Sequence, residues 1–261
     1  GGGHVVRVNI FDDSGNSLTT FNAGSANTWD WSKPVMTELD NGSYAVVWRT
    51  SKSGSNNARF RIFDSNGNPT TSEASFGGHA ANNSHELAIE TLNSGHVVSA
   101  YQSAGEIYLQ RWSPDGTAQG GPIRINATTA GTQSQPDITA LADGSFYITW
   151  TSENQDGAGN GIYGRHFGAD GIAISGETLI NETTAGNQSD AHVVQLADGT
   201  LQVTWTSDQN GNNDIFSRTL AVGNQVTENA ANGTMVGQVT ATDIDGDTIT
   251  YSLLDDSDGR F

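Results

Sequence analysis

Along residues 1–221 apolar and polar positions alternate in runs of four to eight, and Asp-Gly, Asn-Gly or Ser-Gly pairs separate the runs. Alternation with period two predicts strands, and those pairs supply the left-handed backbone of a tight hairpin turn. Gln135 to Trp150 reads QPDITALADGSFYITW, and Asp190 to Trp205 reads DAHVVQLADGTLQVTW. An alternating segment, an Ala-Asp-Gly turn and a strand ending in Trp therefore recur. Pro34 to Trp48 (PVMTELDNGSYAVVW) and Glu86 to Tyr101 (ELAIETLNSGHVVSAY) are weaker copies, the second with Tyr in place of Trp.

The aromatic positions Trp48, Tyr101, Trp150 and Trp205 lie 53, 49 and 55 residues apart. A second landmark keeps step: Phe11-Asp12-Asp13-Ser14-Gly15, Phe63-Asp64-Ser65-Asn66-Gly67, Trp112-Ser113-Pro114-Asp115-Gly116 and Phe167-Gly168-Ala169-Asp170-Gly171. Each unit thus holds a strand, a hairpin turn, a second strand ending at the aromatic, a polar loop, a third strand such as 161–167, a second turn and a short fourth strand such as 177–181. Four antiparallel strands in about fifty residues predict one propeller blade. The fold class expected is all-β, a propeller-like array of four-stranded blades that is incomplete as a propeller. The units fall at about 1–32, 33–84, 85–134, 135–189 and 190–221. The repeated aromatic is expected to pack between neighbouring blades. A four-bladed ring would leave one strand over, a larger propeller truncated at its N-terminus would use every strand, and an open stack remains a third arrangement.

After Ala221 the repeat ends. Residues 222–261 carry Val226-Thr227-Glu228-Asn229, a strand from Met235 to Thr240, Asp243-Ile244-Asp245-Gly246-Asp247 and then Thr250-Tyr251-Ser252-Leu253. This segment resembles the first half of a cadherin-type domain, which implies a partial β-sandwich. The resemblance also implies Ca²⁺ held by Glu228, Asp243 and Asp245 between tandem modules; Asp247 continues the phase of the pair. Alternate carboxylates on an extended segment project to one side and can share a cation that takes six to eight oxygens. The spacing fails as an EF-hand, with glycine at the fourth position and Leu254 at the twelfth. The repeats are similar to propeller-like repeats of very large secreted bacterial proteins that also carry cadherin-like modules.

Composition narrows the partners. There are 29 acidic and 11 basic residues and a formal charge of −18, which opposes nucleic acid and anionic membrane surfaces. With no cysteine, neither disulfides nor thiolate metal sites are available. No apolar run is long enough to cross a bilayer as a helix, and the chain is expected to be a piece of something longer. Six histidines, His4, His79, His85, His96, His166 and His192, are scattered without a zinc-protease or nucleophile-elbow motif. Most carboxylates sit in turns, where their local role explains them. Trp29 and Trp31, in a polar connection, form the best aromatic platform for a sugar or peptide.

The function expected from these features is a non-catalytic extracellular binding or scaffold segment, secreted or at the cell surface, engaged in calcium-dependent adhesion. Its partners would be other surface proteins, extracellular polysaccharide and further tandem modules of the same chain. The alternative is a carbohydrate-recognition propeller appended to a polysaccharide-acting enzyme.

Overall fold

The computed structural model describes residues 6–24, 34–52, 55–77 and 86–222. The chain divides after Val222, and every described residue belongs to the first unit. The cadherin-like segment, with Glu228, Asp243, Asp245 and Asp247, and the pair Trp29 and Trp31 lie outside the described residues.

The described residues are all-β. A two-stranded hairpin, β1 (Arg7–Phe11) and β2 (Ser17–Asn22), comes first. Three four-stranded meanders follow: β3 (Val35–Glu38), β4 (Tyr44–Lys52), β5 (Ser55–Phe63) and β6 (Ala74–Phe76); β7 (Leu87–Thr91), β8 (Val97–Ser103), β9 (Glu106–Trp112) and β10 (Ile123–Arg124); β11 (Gln133–Ala140), β12 (Phe146–Glu153), β13 (Asn160–Phe167) and β14 (Thr178–Leu179). A three-stranded sheet ends the series, with β15 (Gln188–Gln195), β16 (Leu201–Ser207) and β17 (Asp214–Leu220). Every strand pairs antiparallel with its sequence neighbour within a sheet, so the three four-stranded sheets are blades of the expected kind and the end sheets hold two and three strands of one.

Two turns hold the blades to one register. At the first, Leu39, Leu92, Leu141 and Leu196 each accept a bond from the glycine three residues on, at 2.8 to 2.9 Å. At the second, Asp12, Asp64, Ser113 and Gly168 accept likewise from Gly15, Gly67, Gly116 and Gly171. All eight glycines have positive φ, the conformation for which the sequence supplied them. The carboxylate of Asp64 completes its turn by accepting from the amides of Asn66 (2.9 Å) and Asn68 (2.8 Å) and from the Asn68 side chain (3.0 Å).

The core lies between successive sheets rather than inside any one of them. Trp48 packs with Val6, Val8 and Phe63 at the first junction, Tyr101 with Leu39, Ala58 and Phe60 at the second, Trp150 with Leu92 and Ile107 at the third, and Trp205 with Leu141 and Ile162 at the fourth. The repeated aromatic is therefore the inter-blade core residue that the spacing predicts. Strands β8 and β12 are buried along both faces, whereas β16 alternates between buried and half-buried and β17 between exposed and half-buried. A middle blade is covered on two sides, so its second strand needs apolar residues on both faces. Arginines add polar ties across the junctions: Arg165 donates to the Ile125 carbonyl and Arg218 to that of Ile180, both at 2.8 Å.

Candidate functional site

Two places in the array depart from plain packing. The first is a cleft of about 560 Å³ between the second and third sheets. Its walls carry Phe76 of β6, Tyr101 of β8, and Tyr108 and Trp112 of β9, with a rim of Gly77, Gly120, Gly121 and Pro122. Among the described residues that line it none is charged, and its polar side chains are Ser75, Gln110 and the hydroxyls of Tyr101 and Tyr108.

Two of the lining residues depart from the repeat. Tyr101 stands where the other blades place Trp48, Trp150 and Trp205, and Trp112 where they place Phe11, Phe63 and Phe167. The Trp112 ring stacks on Phe60 (centroids 4.1 Å apart, planes within 3°) and meets Phe76 edge-on at 5.2 Å. Tyr101 meets Phe76 edge-on at 5.3 Å and stacks against Tyr108 at 5.8 Å. These are the offset and perpendicular geometries that aromatic quadrupoles favour. Burial, and then the Tyr108 phenol beside it, pushes the Tyr101 hydroxyl up, so it stays a neutral hydroxyl. Gln110 fixes the rim by donating to the carbonyls of Arg111 (2.9 Å) and Gly120 (3.3 Å). A side chain at Gly77 would run into the Tyr101 ring. Tyr108 is only half-buried.

The second place is the row of first strands. Asp137 of β11 and His192 of β15 occupy the same register position in neighbouring blades, pairing respectively with Thr149 and Thr204. The His192 Nδ1 lies 3.6 Å from the Asp137 Oδ2, and that oxygen also accepts from the Val193 amide at 2.8 Å. Glu90 lies on β7, one strand further along. Burial pushes the carboxyls of both Glu90 and Asp137 up; the charge of Asp137 adds to the rise at Glu90, while Val193 and His192 oppose it at Asp137. Both side chains are half-buried.

Next to these groups β11 and β15 each carry a bulge, between Ser134 and Asp137 and between Ser189 and His192. Gln135 and Asp190, within the bulges, both adopt φ of 53°. Left-handed backbone at a non-glycine residue is strained and concentrates at functional positions. The two side chains bond one another across the junction, and Thr151 Oγ1 donates to the Gln135 Oε1 at 2.8 Å. Among the described residues no group of three histidine or carboxylate side chains is placed to hold a metal ion.

Sequence reading missed Tyr108, Glu90 and Asp137. The signal for the cleft was present in the replacement of Trp by Tyr at position 101. The carboxylates had no such signal, because the strands that bring them together are about fifty residues apart.

No protein-family model matches the chain, and no curated protein matches it. Among solved structures it is similar to a protein of unknown function from Dyadobacter fermentans, with 16% identity and a TM-score of 0.55 over 74% of this chain and 54% of that one. The chain thus spans about half the length of that relative. It is also similar to an endo-arabinase from Bacteroides thetaiotaomicron (16% identity, TM-score 0.44, 79% of this chain and 82% of that one) and to an endo-1,4-beta-xylanase from the same organism (12%, 0.45, 71% and 67%). Likeness at such identities is one of fold.

These findings overturn the expectation of a non-catalytic, calcium-dependent adhesion or scaffold segment, and with it the expectation that the chain is no enzyme. The named neighbours of known activity are enzymes. The physical reason is that an array of four-stranded blades is a scaffold that hosts binding and catalysis alike, so repeat pattern and net charge do not separate the two.

Proposed function

We propose that the blade array acts on polysaccharide, holding a neutral glycan in the cleft between the second and third sheets. Tyr108, half-buried at an uncharged opening and backed by the buried rings of Phe76, Tyr101 and Trp112, carries this reading. Sugar rings present C–H faces that lie against aromatic rings, and hydroxyls that need a few fixed polar partners; Ser75, Gln110 and the rim backbone supply the latter. Migration of the chain through gels containing arabinan, xylan or galactan tests it. Retardation by at least one of these, weakened roughly tenfold in Tyr108→Ala, is expected; a tenfold loss corresponds to about 1.4 kcal/mol. No retardation by any neutral glycan, or equal retardation of the variant, would sink the proposal.

A second reading concerns chemistry on a glycan reaching the row of first strands, apart from that cleft, and rests on the half-buried carboxyls of Glu90 and Asp137. Glycosidic cleavage needs one carboxyl to protonate the leaving oxygen and another to act as base or nucleophile. Glu90, whose carboxyl is pushed up by burial and by the charge of Asp137, suits the first role, and Asp137 beside His192 suits the second. Release of reducing ends from the retained glycan, lost in Glu90→Gln and in Asp137→Asn while retardation persists, is the expected outcome.

For residues 222–261 the sequence resemblance supports a separate module, the start of a cadherin-like domain, holding Ca²⁺ through Glu228, Asp243, Asp245 and Asp247. Secretion or surface display fits that module and the polysaccharide partner. Calorimetric titration of the chain with calcium should give heat that Asp243→Ala with Asp245→Ala removes; unchanged heat would refute the assignment.

A further inference from the structure

One position of the third strand governs how successive sheets are tied. Arg61, Gln110, Arg165 and Arg218 each stand two residues before the end of that strand, opposite Val46, Ser99, Ile148 and Val203 of the second strand. Three of them make the same bond to the carbonyl ten residues on: Arg61 Nε to Thr71 at 3.0 Å, Gln110 Nε2 to Gly120 at 3.3 Å and Arg165 Nε to Ser175 at 2.8 Å. The arginines continue past that atom. Arg165 and Arg218 use Nη1 to cross to the preceding sheet, at the carbonyls of Ile125 and Ile180. The guanidinium groups of Arg61 and Arg165 also lie 5.6 and 5.7 Å from the ring centroids of Phe63 and Phe167. A glutamine side chain stops at Nε2, as many bonds from the backbone as the arginine Nε. Gln110 therefore ties β9 to the loop before β10 and has nothing left with which to reach the second sheet.

The same junction departs from the repeat at one more place. Asn126 and Asn181 accept the amides of Ile107 and Ile162 at 2.8 and 2.7 Å. They stand two residues beyond Arg124 and Leu179, which pair with Tyr108 and Tyr163; the corresponding pair is Ser75 with Arg59, so Gly77 holds the asparagine position. Where a Cβ would stand at Gly77 lies the Tyr101 ring. Gln110 and Gly77 both line the cleft between the second and third sheets.

We infer that Gln110 determines what this cleft admits, leaving open the place that an arginine side chain fills at the third and fourth junctions, so that the glycan takes that place. Resting on the glycan reading of the cleft, this adds to it the residue that keeps the cleft open. Sugar hydroxyls can donate to main-chain carbonyls of the second sheet as the guanidinium groups do elsewhere. Residue 110 thus acts by its length: a side chain that reaches across the junction supplies its own donor and excludes the ligand.

Migration of the full chain through gels containing arabinan, xylan or galactan tests this with three variants. For the glycan that retards the parent, Gln110→Arg is expected to weaken retardation about tenfold or more, and Gln110→Ala, which loses the Gly120 bond but fills nothing, to stay within about twofold of the parent. Gln110→Lys, which reaches across with a single donor group, is expected to fall between them. Circular dichroism and a melting temperature for Gln110→Arg no lower than the parent's are expected, and a crystal structure of that variant should show the guanidinium lying across the cleft beside Phe76. Retardation of Gln110→Arg equal to the parent's, an equal loss in Gln110→Ala, or a guanidinium turned out to solvent would overturn the inference and leave the glycan reading standing. A parent that none of the three glycans retards would overturn both.

Discussion

Asp64 shows how far one side chain explains a turn. Its carboxylate accepts three bonds from Asn66 and Asn68, and these hold it below its ordinary value, the Asn68 side chain first among them. A depressed carboxylate stabilises the fold above the pKa of the unfolded chain, about 3.9, and that contribution disappears as pH falls through the lower folded value. Asp64→Asn should therefore lower the melting temperature at pH 7, and the gap between the two proteins should close below about pH 3.9. A gap that stays constant in acid would show that the charge has no part in the turn. Glu90 and Asp137 have the opposite sign: their raised carboxyls contribute stability below the unfolded value that is lost as pH rises through the folded one. The turn role of Asp64 was legible from the Asp-Ser-Asn-Gly string alone. The role of Glu90 was not, because what distinguishes it is burial against a neighbouring blade.

Strands and turns were the most legible level. The expected third strand at 161–167 is β13, the leftover strands at the two ends are β1–β2 and β15–β17, and the repeated aromatic is the junction residue. Local physics suffices there, since alternation and Asp-Gly turns act within a few residues. The connections between blades obey a further rule, because their backbone must pass close to a neighbouring loop. At Gly131, in the connection Asn126 to Ser134, an added Cβ would collide with the backbone carbonyl of Glu153, whereas at Gly144, in a hairpin turn, it would meet open space. Both have positive φ. Gly144→Ala should cost about 1 kcal/mol, the strain of left-handed backbone alone, and Gly131→Ala at least about 2 kcal/mol more, since backbone cannot yield as a side chain can. Equal losses in urea unfolding would mean that the connection shifts freely.

At the scale of the molecule, stacking the blades produces features that no blade contains. Tyr101 and Tyr108 belong to one sheet and Phe76 to the one before it, and only their stacking opens a cleft between them. Asp137 and His192 meet because neighbouring blades keep the same register. A single repeat read by itself predicts a core aromatic at position 101. The array places that residue, with Trp112, in the wall of a cleft. A crystal structure of the chain soaked with a short neutral oligosaccharide from the glycan that retards it tests this directly. A sugar ring lying against Tyr108 between the walls formed by Phe76 and Trp112 is the predicted result; an oligosaccharide bound elsewhere, with that cleft empty, would contradict it.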